Sequence, residues 1–513
     1  MGDASNKCIE ETINSFKDKG LAEESLKKKT LKGTIWSSIE RFSVQGVQFV
    51  VMIFMARILT PDDYGIVGMT TIFMMIAQVL VDSGFSNALI RKQDRTQLDN
   101  STVFYFNIVV GIILYFILFF CAHPIARFFD QPLLVPITRI VAISLPLNSL
   151  AVVQRAILTV NIDFKTQAQA SFSAAIATGA VGLSLAYTEF GVWAIVWAQL
   201  TSTFVNVILL WILARWRPSW EYSWQSFREM FGFGSKLLAS GLIDSIYSNG
   251  YLIVIGKVFK AADLGFYTRA QQFSALTATN ITGIFQRVSY PVLCTIQNED
   301  DRLQDVYRRI LKTSAFVIFP LMVGLAAVGT PLVSSLLTDK WLYSAVLLIP
   351  ICLAGMWYPI HAINLNLLQV KGRSDWFLKL EIWKKCIGVS ILIGSIPLGL
   401  YWMCWGSVIG NIIALIINTH YTGKLINLGF LKQMADLLPI LILSLAMGAA
   451  VYCLVTFVPM PSGAALAAGI GTGIFFYVGL AKLFRFPEFA ELADMIKKGK
   501  QKFSNKLALS TNG

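Results

Sequence analysis

Apolar runs of 18 or more residues with few charges recur along the whole chain, and they constrain its fold more than any other feature. Each is long enough to cross about 30 Å of hydrocarbon. Lipid offers the backbone no hydrogen bonds, so a spanning segment must satisfy its own N–H and C=O groups, as a helix or within a closed barrel. The strand alternation that a barrel needs is absent. An all-α integral membrane protein is therefore expected. Charged residues make up 14% of the 513 and hydrophobic residues 55%; globular chains carry about 25% charged residues. With a mean hydropathy of +0.61, the chain lacks the polar surface that a soluble protein of this size needs.

At roughly 20 apolar residues per crossing, about fourteen spans fit. They fall at about 34–56, 64–90, 101–123, 134–157, 167–187, 191–213, 231–256, 264–290, 308–330, 343–369, 376–398, 402–422, 432–457 and 461–484. The Lys/Arg bias of short loops orients them. With the N-terminus inside, the inner segments hold Arg91, Lys92, Arg95, Arg155, Lys165, Arg215, Arg217, Arg228, Arg302, Arg308, Arg309, Lys312, Lys371, Arg373, Lys424 and Lys432, then a basic C-terminal tail. The outer segments hold Arg57, Arg127, Lys257, Lys260 and Lys340, four of the five beside an acidic residue in the same loop. The alternation implies cytoplasmic N- and C-termini. Loops on both faces are too short for a catalytic domain, so the function lies within the bilayer.

The remaining composition excludes other classes. Seven scattered cysteines without CxxC spacing read as apolar packing residues. His123, His361 and His420 lie far apart, which argues against a metal site. The net charge of +13 would suggest nucleic acid in a soluble chain, but most of these lysines and arginines flank apolar spans. They read as topology signals and as attraction to anionic lipid. Residues 1–30 are polar and lack the apolar core of a cleavable signal peptide, so a cytoplasmic N-terminal tail is expected.

Two stretches match at a spacing of 200 residues: Ala56-Arg57-Ile58-Leu59-Thr60-Pro61-Asp62-Asp63-Tyr64-Gly65 and Gly256-Lys257-Val258-Phe259-Lys260-Ala261-Ala262-Asp263-Leu264-Gly265. Thr-Pro-Asp-Asp is a helix-capping turn with Pro in the first turn. Pro124 and Pro331, and Pro146 and Pro359, also correspond in order. Six spans thus map onto six with the same orientation, a parallel repeat of the kind found in secondary transporters. The expected organisation is a tail over 1–30, lobes of six helices over 31–222 and 223–425, two further helices over 426–486, and a basic cytoplasmic tail over 487–513. In such carriers substrate binds between halves that rock to give alternating access.

A family resemblance rests on Ala56–Gly65, Val-Asp-Ser-Gly-Phe-Ser-Asn-Ala-Leu-Ile-Arg-Lys (81–92), Ser-Thr-Val-Phe-Tyr-Phe-Asn (101–107), Pro-Ile-Ala-Arg-Phe-Phe (124–129), Phe-Gly-Val-Trp-Ala (190–194) and Arg-Trp-Arg-Pro (215–218). In order and spacing the chain resembles the bacterial polysaccharide transporters. These are the lipopolysaccharide and O-antigen flippases of the multidrug/oligosaccharidyl-lipid/polysaccharide exporter superfamily. The resemblance implies two six-helix lobes around a central cavity with two extra C-terminal helices. It also implies movement of undecaprenyl-diphosphate-linked oligosaccharide from the cytoplasmic to the periplasmic leaflet of the bacterial inner membrane. Polysaccharide polymerase and chain-length proteins are the implied partners, beside the bilayer itself.

Ionisable residues within spans cost at least about 2.5–3.5 kcal/mol at mid-bilayer and are functional candidates for that reason. Glu40 and Arg41 lie in the first span, Asp82 in the second, Arg139 in the fourth, Asp244 in the seventh, Arg269 in the eighth, and Glu381, Lys384 and Lys385 in the eleventh. A diphosphate headgroup calls for arginines that can form charge-assisted, bidentate hydrogen bonds. By the resemblance, Arg41 and Arg269 hold equivalent places in the two lobes and are the first candidates, with Glu40, Arg139 and Asp244 also in the cavity. Arg57 and Lys257 would guard the outer mouth or anchor at lipid headgroups. Competing readings stay open: snorkelling for Arg139, Arg269 and the Lys384–Lys385 pair, helix bracing for Arg41, loop capping for Asp82, and a proton or cation site or simple packing for Asp244.

Two other functions compete with a flippase: a multidrug or cation antiporter of the same superfamily, and a membrane polysaccharide polymerase or ligase. The first wants an acidic, aromatic pocket, whereas the intramembrane charges are at least as basic as acidic. The second, by resemblance to known families, wants a large catalytic outer loop. No GxxxxGK[ST] phosphate cradle occurs. A carrier without cofactor, and not an enzyme, is expected, its driving force open between substrate gradient, membrane potential and coupling to protons or sodium.

Overall fold

A computed structural model of the chain describes residues 36, 40, 42–82, 84–92 and 94–494. The expected N-terminal tail and most of the C-terminal tail therefore lie outside the described residues, as does Arg41. Among the described residues the secondary structure is helical, with no strand, and the chain divides into two compact units, residues 1–261 and 262–513.

The first unit contains α1 (Phe42–Ile58), α2 (Pro61–Asp82), α3 (Phe85–Arg91), α4 (Gln97–Phe129), α5 (Leu134–Val141), α6 (Ser144–Ser149), α7 (Val152–Val160), α8 (Phe164–Tyr187), α9 (Val192–Leu213), α10 (Trp224–Ser248) and α11 (Gly250–Val258). The turn expected before α2 is present. Thr60 donates its backbone N–H to Asp63 Oδ2 at 2.9 Å, and Asp63 N–H returns to Thr60 Oγ1 at 3.3 Å. That reciprocal cap satisfies two of the donors that every helix start leaves open. Thr96 and Asp99 cap α4 in the same way. At 33 residues, α4 is about 50 Å long, so it projects past the hydrocarbon. Small residues on α8 let neighbours approach closely: a Cβ on Gly182 would sit 3.0 Å from the Ala198 methyl of α9. Without a hydrophobic drive between helices in lipid, such contacts supply association through packing.

The second unit contains α12 (Ala261–Thr295), α13 (Asp300–Ala327), α14 (Gly329–Leu336), α15 (Leu342–Gly355), α16 (Tyr358–Val370), α17 (Ser374–Ser395), α18 (Leu400–Ile426), α19 (Phe430–Phe457) and α20 (Ser462–Leu483). Its core is built on α13, against which α15, α16, α19 and α20 pack. A Cβ on Gly448 of α19 would meet Val323 Cγ1 of α13 at 2.4 Å. Tyr477 of α20 donates its hydroxyl to the Phe316 carbonyl of α13 at 2.8 Å.

Three differences from the sequence reading have physical causes. Among the described residues nine helices are long and apolar enough to span a membrane, or up to eleven if two bent pairs count as single spans. The other expected spans fall on α1, which is too short, and on α12 and α17, which are too polar to meet that standard. The fourth expected span is broken into α5, α6 and α7 with a 41° bend, and the seventh into α10 and α11 with a 42° bend. The break in the fourth carries α7 on to Val160, with Arg155 within it. Finally, the compact units divide at 261/262 rather than at 222/223. The α10 helix belongs to the first unit because Phe227 stacks on Phe85 with ring centroids 5.7 Å apart, and Lys92 pairs with Glu229 at 3.2 Å.

Candidate functional site

In the first unit, half-buried Glu40 accepts a hydrogen bond from Ser171 Oγ of α8 at 2.9 Å. Arg139 of α5 lies over the Phe119 ring, 4.2 Å from its centroid, and its Nη2 is 3.4 Å from His123 Nδ1. Both partners are on α4, so this arginine ties α5 to α4 through an aromatic face and an imidazole. Asp244 is exposed near the C-terminal end of α10, and Arg57 is exposed at the end of α1. Lys257 of α11 pairs with Asp130 at 3.1 Å and lies 5.3 Å from the Phe128 ring centroid. Asp130 takes a left-handed conformation at the end of α4, with φ 55°, which turns its carboxylate toward that lysine. The contacts of Glu40, Arg139 and Lys257 are thus separate from one another.

Sequence reasoning missed a group at the opposite end of this unit. Arg155 of α7 donates from Nη2 to Asn206 Oδ1 of α9 at 2.9 Å. The available signal was Gln154-Arg155 falling within the apolar run of the fourth expected span. Nearby, Lys92 bridges Asp99 and Glu229, both at 3.2 Å. Burial pulls its ammonium down, but these two carboxylates outweigh that and hold it above the ordinary lysine range.

In the second unit, half-buried Arg269 lies in the first third of α12. Lys384 and Glu381 of α17 pair at 2.5 Å, and Lys385 follows on the same helix. An interior polar network runs through α16, α18 and α19. Asn364 and Gln433 exchange amide hydrogen bonds at 3.2 Å each, Thr422 Oγ1 donates to Asn364 Oδ1 at 2.6 Å, and Asn418 Nδ2 is 3.1 Å from His361 Nδ1. Arg308 of α13 grips Asp436 of α19 with two bonds of 2.7 and 2.6 Å, and Lys312 adds a third contact at 3.3 Å. Arg309 pairs with Glu491 at 2.9 Å, so residues near 491 pack on α13 rather than trailing from it. Among the described residues no cluster of His, Cys, Asp and Glu has the makings of a metal site.

The second unit also carries an apolar groove of about 520 Å³ among α12, α13, α14, α19 and α20. Val328, Leu332, Met447, Val451, Ile470 and Gly473 line it, and Thr277 and Tyr477 are its two residues with hydroxyl groups. The Tyr477 hydroxyl is already committed to the Phe316 carbonyl. Such a surface can hold hydrocarbon and offers almost nothing to a polar ligand.

Comparison with known proteins places this geometry in context. Residues 54–346 match the model of a family described as polysaccharide biosynthesis protein. The teichuronic acid biosynthesis protein TuaB of Bacillus subtilis is 26% identical over 354 residues, 68% of this chain and 73% of TuaB. The lipopolysaccharide biosynthesis protein WzxC of Escherichia coli is 23% identical over 402 residues, 77% of this chain and 80% of WzxC. Among solved structures, the lipid II flippase MurJ in an inward closed conformation superposes with a TM-score of 0.72 at 16% identity, covering 88% of this chain and 98% of MurJ. The last likeness is one of fold.

Proposed function

The chain belongs to the polysaccharide biosynthesis protein family, and from that premise we propose that it is a flippase. Its cargo is undecaprenyl-diphosphate-linked oligosaccharide, carried from the cytoplasmic to the periplasmic leaflet by alternating access. The observation that carries this reading is the apolar groove beside α13, α19 and α20. A lipid-linked substrate has a long hydrocarbon tail that must stay in an apolar setting while its headgroup crosses. The groove supplies such a setting, and intramembrane arginines supply charge-assisted bonds for the diphosphate. Arg41 and Arg269 remain the proposed headgroup residues, with Glu40, Arg139 and Asp244 as further cavity groups and Arg57 and Lys257 at the outer mouth.

The same reading includes fourteen spans in two six-helix lobes with two further helices, both termini cytoplasmic, in the inner membrane. It describes a carrier, not an enzyme, that works beside polymerase and chain-length proteins, with proton or sodium coupling as the drive to be identified. The test is restoration of surface polysaccharide in a bacterial strain lacking its own flippase. Wild type restores export, and Arg41→Ala and Arg269→Ala lose it at equal expression. Export that persists in both variants removes these two residues from the site. Drug resistance without export replaces the flippase with an antiporter.

A further inference from the structure

After α20 the chain turns back onto α13. Arg485 takes a left-handed conformation, with φ 53°, and the N–H of Phe486 donates to the Ala481 carbonyl at 3.0 Å. The Phe486 ring meets that of Phe316 with centroids 6.1 Å apart. Residues 487–494 then run as a helix, held by the Arg309–Glu491 pair at 2.9 Å. Between this segment and α13 lies a polar cavity of about 420 Å³, lined by Asp305, Arg308, Arg309, Lys312, Glu488 and Glu491. Arg308 and Lys312 pair with Asp436, and Arg309 holds Glu491. Glu488 is unmatched. It is 6% exposed, and among the described residues its carboxylate has no hydrogen bond and no basic nitrogen within 4.0 Å. The basic side also has capacity left. Arg308 uses Nε and Nη2 on Asp436 and leaves Nη1 without a hydrogen bond among the described residues, and Lys312 has three donors for one contact.

The same face of α13 continues into the apolar groove. Arg309 and Thr313 line the cavity, and Val317, Pro320 and Gly324, each three or four residues further on, line the groove; that spacing keeps residues on one helix face. At 28 residues, α13 is about 42 Å long, against about 30 Å of hydrocarbon, so its charged first turns reach the depth of lipid headgroups. A polar cavity and a hydrocarbon surface thus lie end to end along one helix, as the two parts of an amphiphile do. The charges restrict which amphiphile fits. A metal cation meets Arg308, Arg309 and Lys312 and is repelled, and a purely anionic head leaves the buried Glu488 carboxylate without a cation, which is costly. A head that joins a phosphate to a primary ammonium answers both: the phosphate accepts from Arg308 and Lys312, and the ammonium donates to Glu488. A quaternary ammonium carries the charge but has no N–H to donate. We propose that this cavity binds the head of a phospholipid of the phosphatidylethanolamine type, with an acyl chain lying along the groove. The site takes a resident lipid of the bilayer and does not depend on the flippase reading. Where the groove also receives the tail of a cargo, the two lipids exclude one another.

The test titrates the full-length protein in detergent with phosphatidylethanolamine, phosphatidylcholine, phosphatidylglycerol and chain-free glycerophosphoethanolamine, and native mass spectrometry counts the bound molecules. Wild type binds phosphatidylethanolamine about tenfold or more tighter than each of the others, a preference of the size of one charge-assisted hydrogen bond. Glu488→Gln removes the preference over phosphatidylcholine, at a melting temperature no lower than that of wild type, and Lys312→Gln weakens both zwitterionic lipids alike. The headgroup series is read on wild type, so it decides the matter even where a variant fails to fold. Equal binding of phosphatidylethanolamine and phosphatidylcholine by wild type, or a preference that survives Glu488→Gln, overturns the site. Tighter binding of phosphatidylglycerol overturns the zwitterionic head, and glycerophosphoethanolamine bound as tightly as the lipid overturns a membrane source.

Discussion

At the scale of single residues, the polar contacts divide into those that hold helices together and those left with capacity to spare. The Arg308–Asp436 pair belongs to the first group. Asp436 is nearly buried, its two bonds come from one planar fork, and Lys312 completes the arrangement. Arg308→Met removes the fork and leaves the carboxylate to Lys312 alone. Because Arg308 is partly exposed, the expected loss is about 1–2 kcal/mol rather than the larger penalty of a fully buried pair. Thermal unfolding in detergent measures it, and an unchanged midpoint would show the pair to be incidental. Lys257→Ala frees Asp130 from an exposed pair worth no more than about 1 kcal/mol, so its melting temperature stays close to wild type. A fall in export in that variant would then support the proposed outer-mouth role rather than a folding defect.

Residue identity was legible in the sequence only where local chemistry decides position. The Thr60–Asp63 cap and the start of α2 at Pro61 follow from the Thr-Pro-Asp-Asp turn, and the structure has both. The Arg155–Asn206 bond was not legible, because hydropathy places a residue along a span and says nothing of the helix it faces. The break of the fourth span into α5, α6 and α7, which extends it to Val160, also escaped a count of apolar residues. The Asn364–Gln433–Thr422 network was equally hidden, since neutral polar residues in an apolar run carry no sign of what they face across three helices.

At the scale of elements, glycines set how closely helices approach. Gly448 leaves no room for a Cβ beside Val323, and the branched valine cannot swing away as a long side chain could. Gly448→Leu therefore separates α19 from α13, and overpacking of this kind costs about 1–3 kcal/mol. Val323→Ala in the same molecule opens space and recovers part of that loss; a double variant no better than the single one would place the strain elsewhere. Gly473 differs, because it faces the groove, with Val451 Cγ2 and Met447 Sδ the nearest atoms to an added Cβ at 3.4 and 3.7 Å. Gly473→Phe fills hydrocarbon space without a backbone clash. Export falls severalfold while membrane level and melting temperature hold, if the groove takes a lipid tail. Undiminished export would remove the groove from the transport path.

At the scale of the whole molecule, helical class and membrane embedding were legible because lipid leaves a chain so few ways to satisfy its backbone. The number of apolar crossings was less so. The polar residues of α12 and α17 are what lower their apolarity, and they include Arg269, Glu381 and Lys384, the residues singled out for function. Function and span recognition thus draw on the same side chains in opposite directions. The division of the chain at 261/262 was also beyond a count of spans, since it depends on what Phe85 and Lys92 meet on α10.

The central claim is translocation of a lipid-linked oligosaccharide, and reconstitution tests it most directly. Purified protein is placed in vesicles with undecaprenyl-diphosphate-linked oligosaccharide, and the fraction open to a membrane-impermeant sugar-modifying enzyme is followed over time. A flippase brings the inner-leaflet substrate into reach, so modification proceeds beyond the outer-leaflet share, and Arg269→Ala slows that second phase. Modification that stops at the outer-leaflet share, as in protein-free vesicles, would contradict the account.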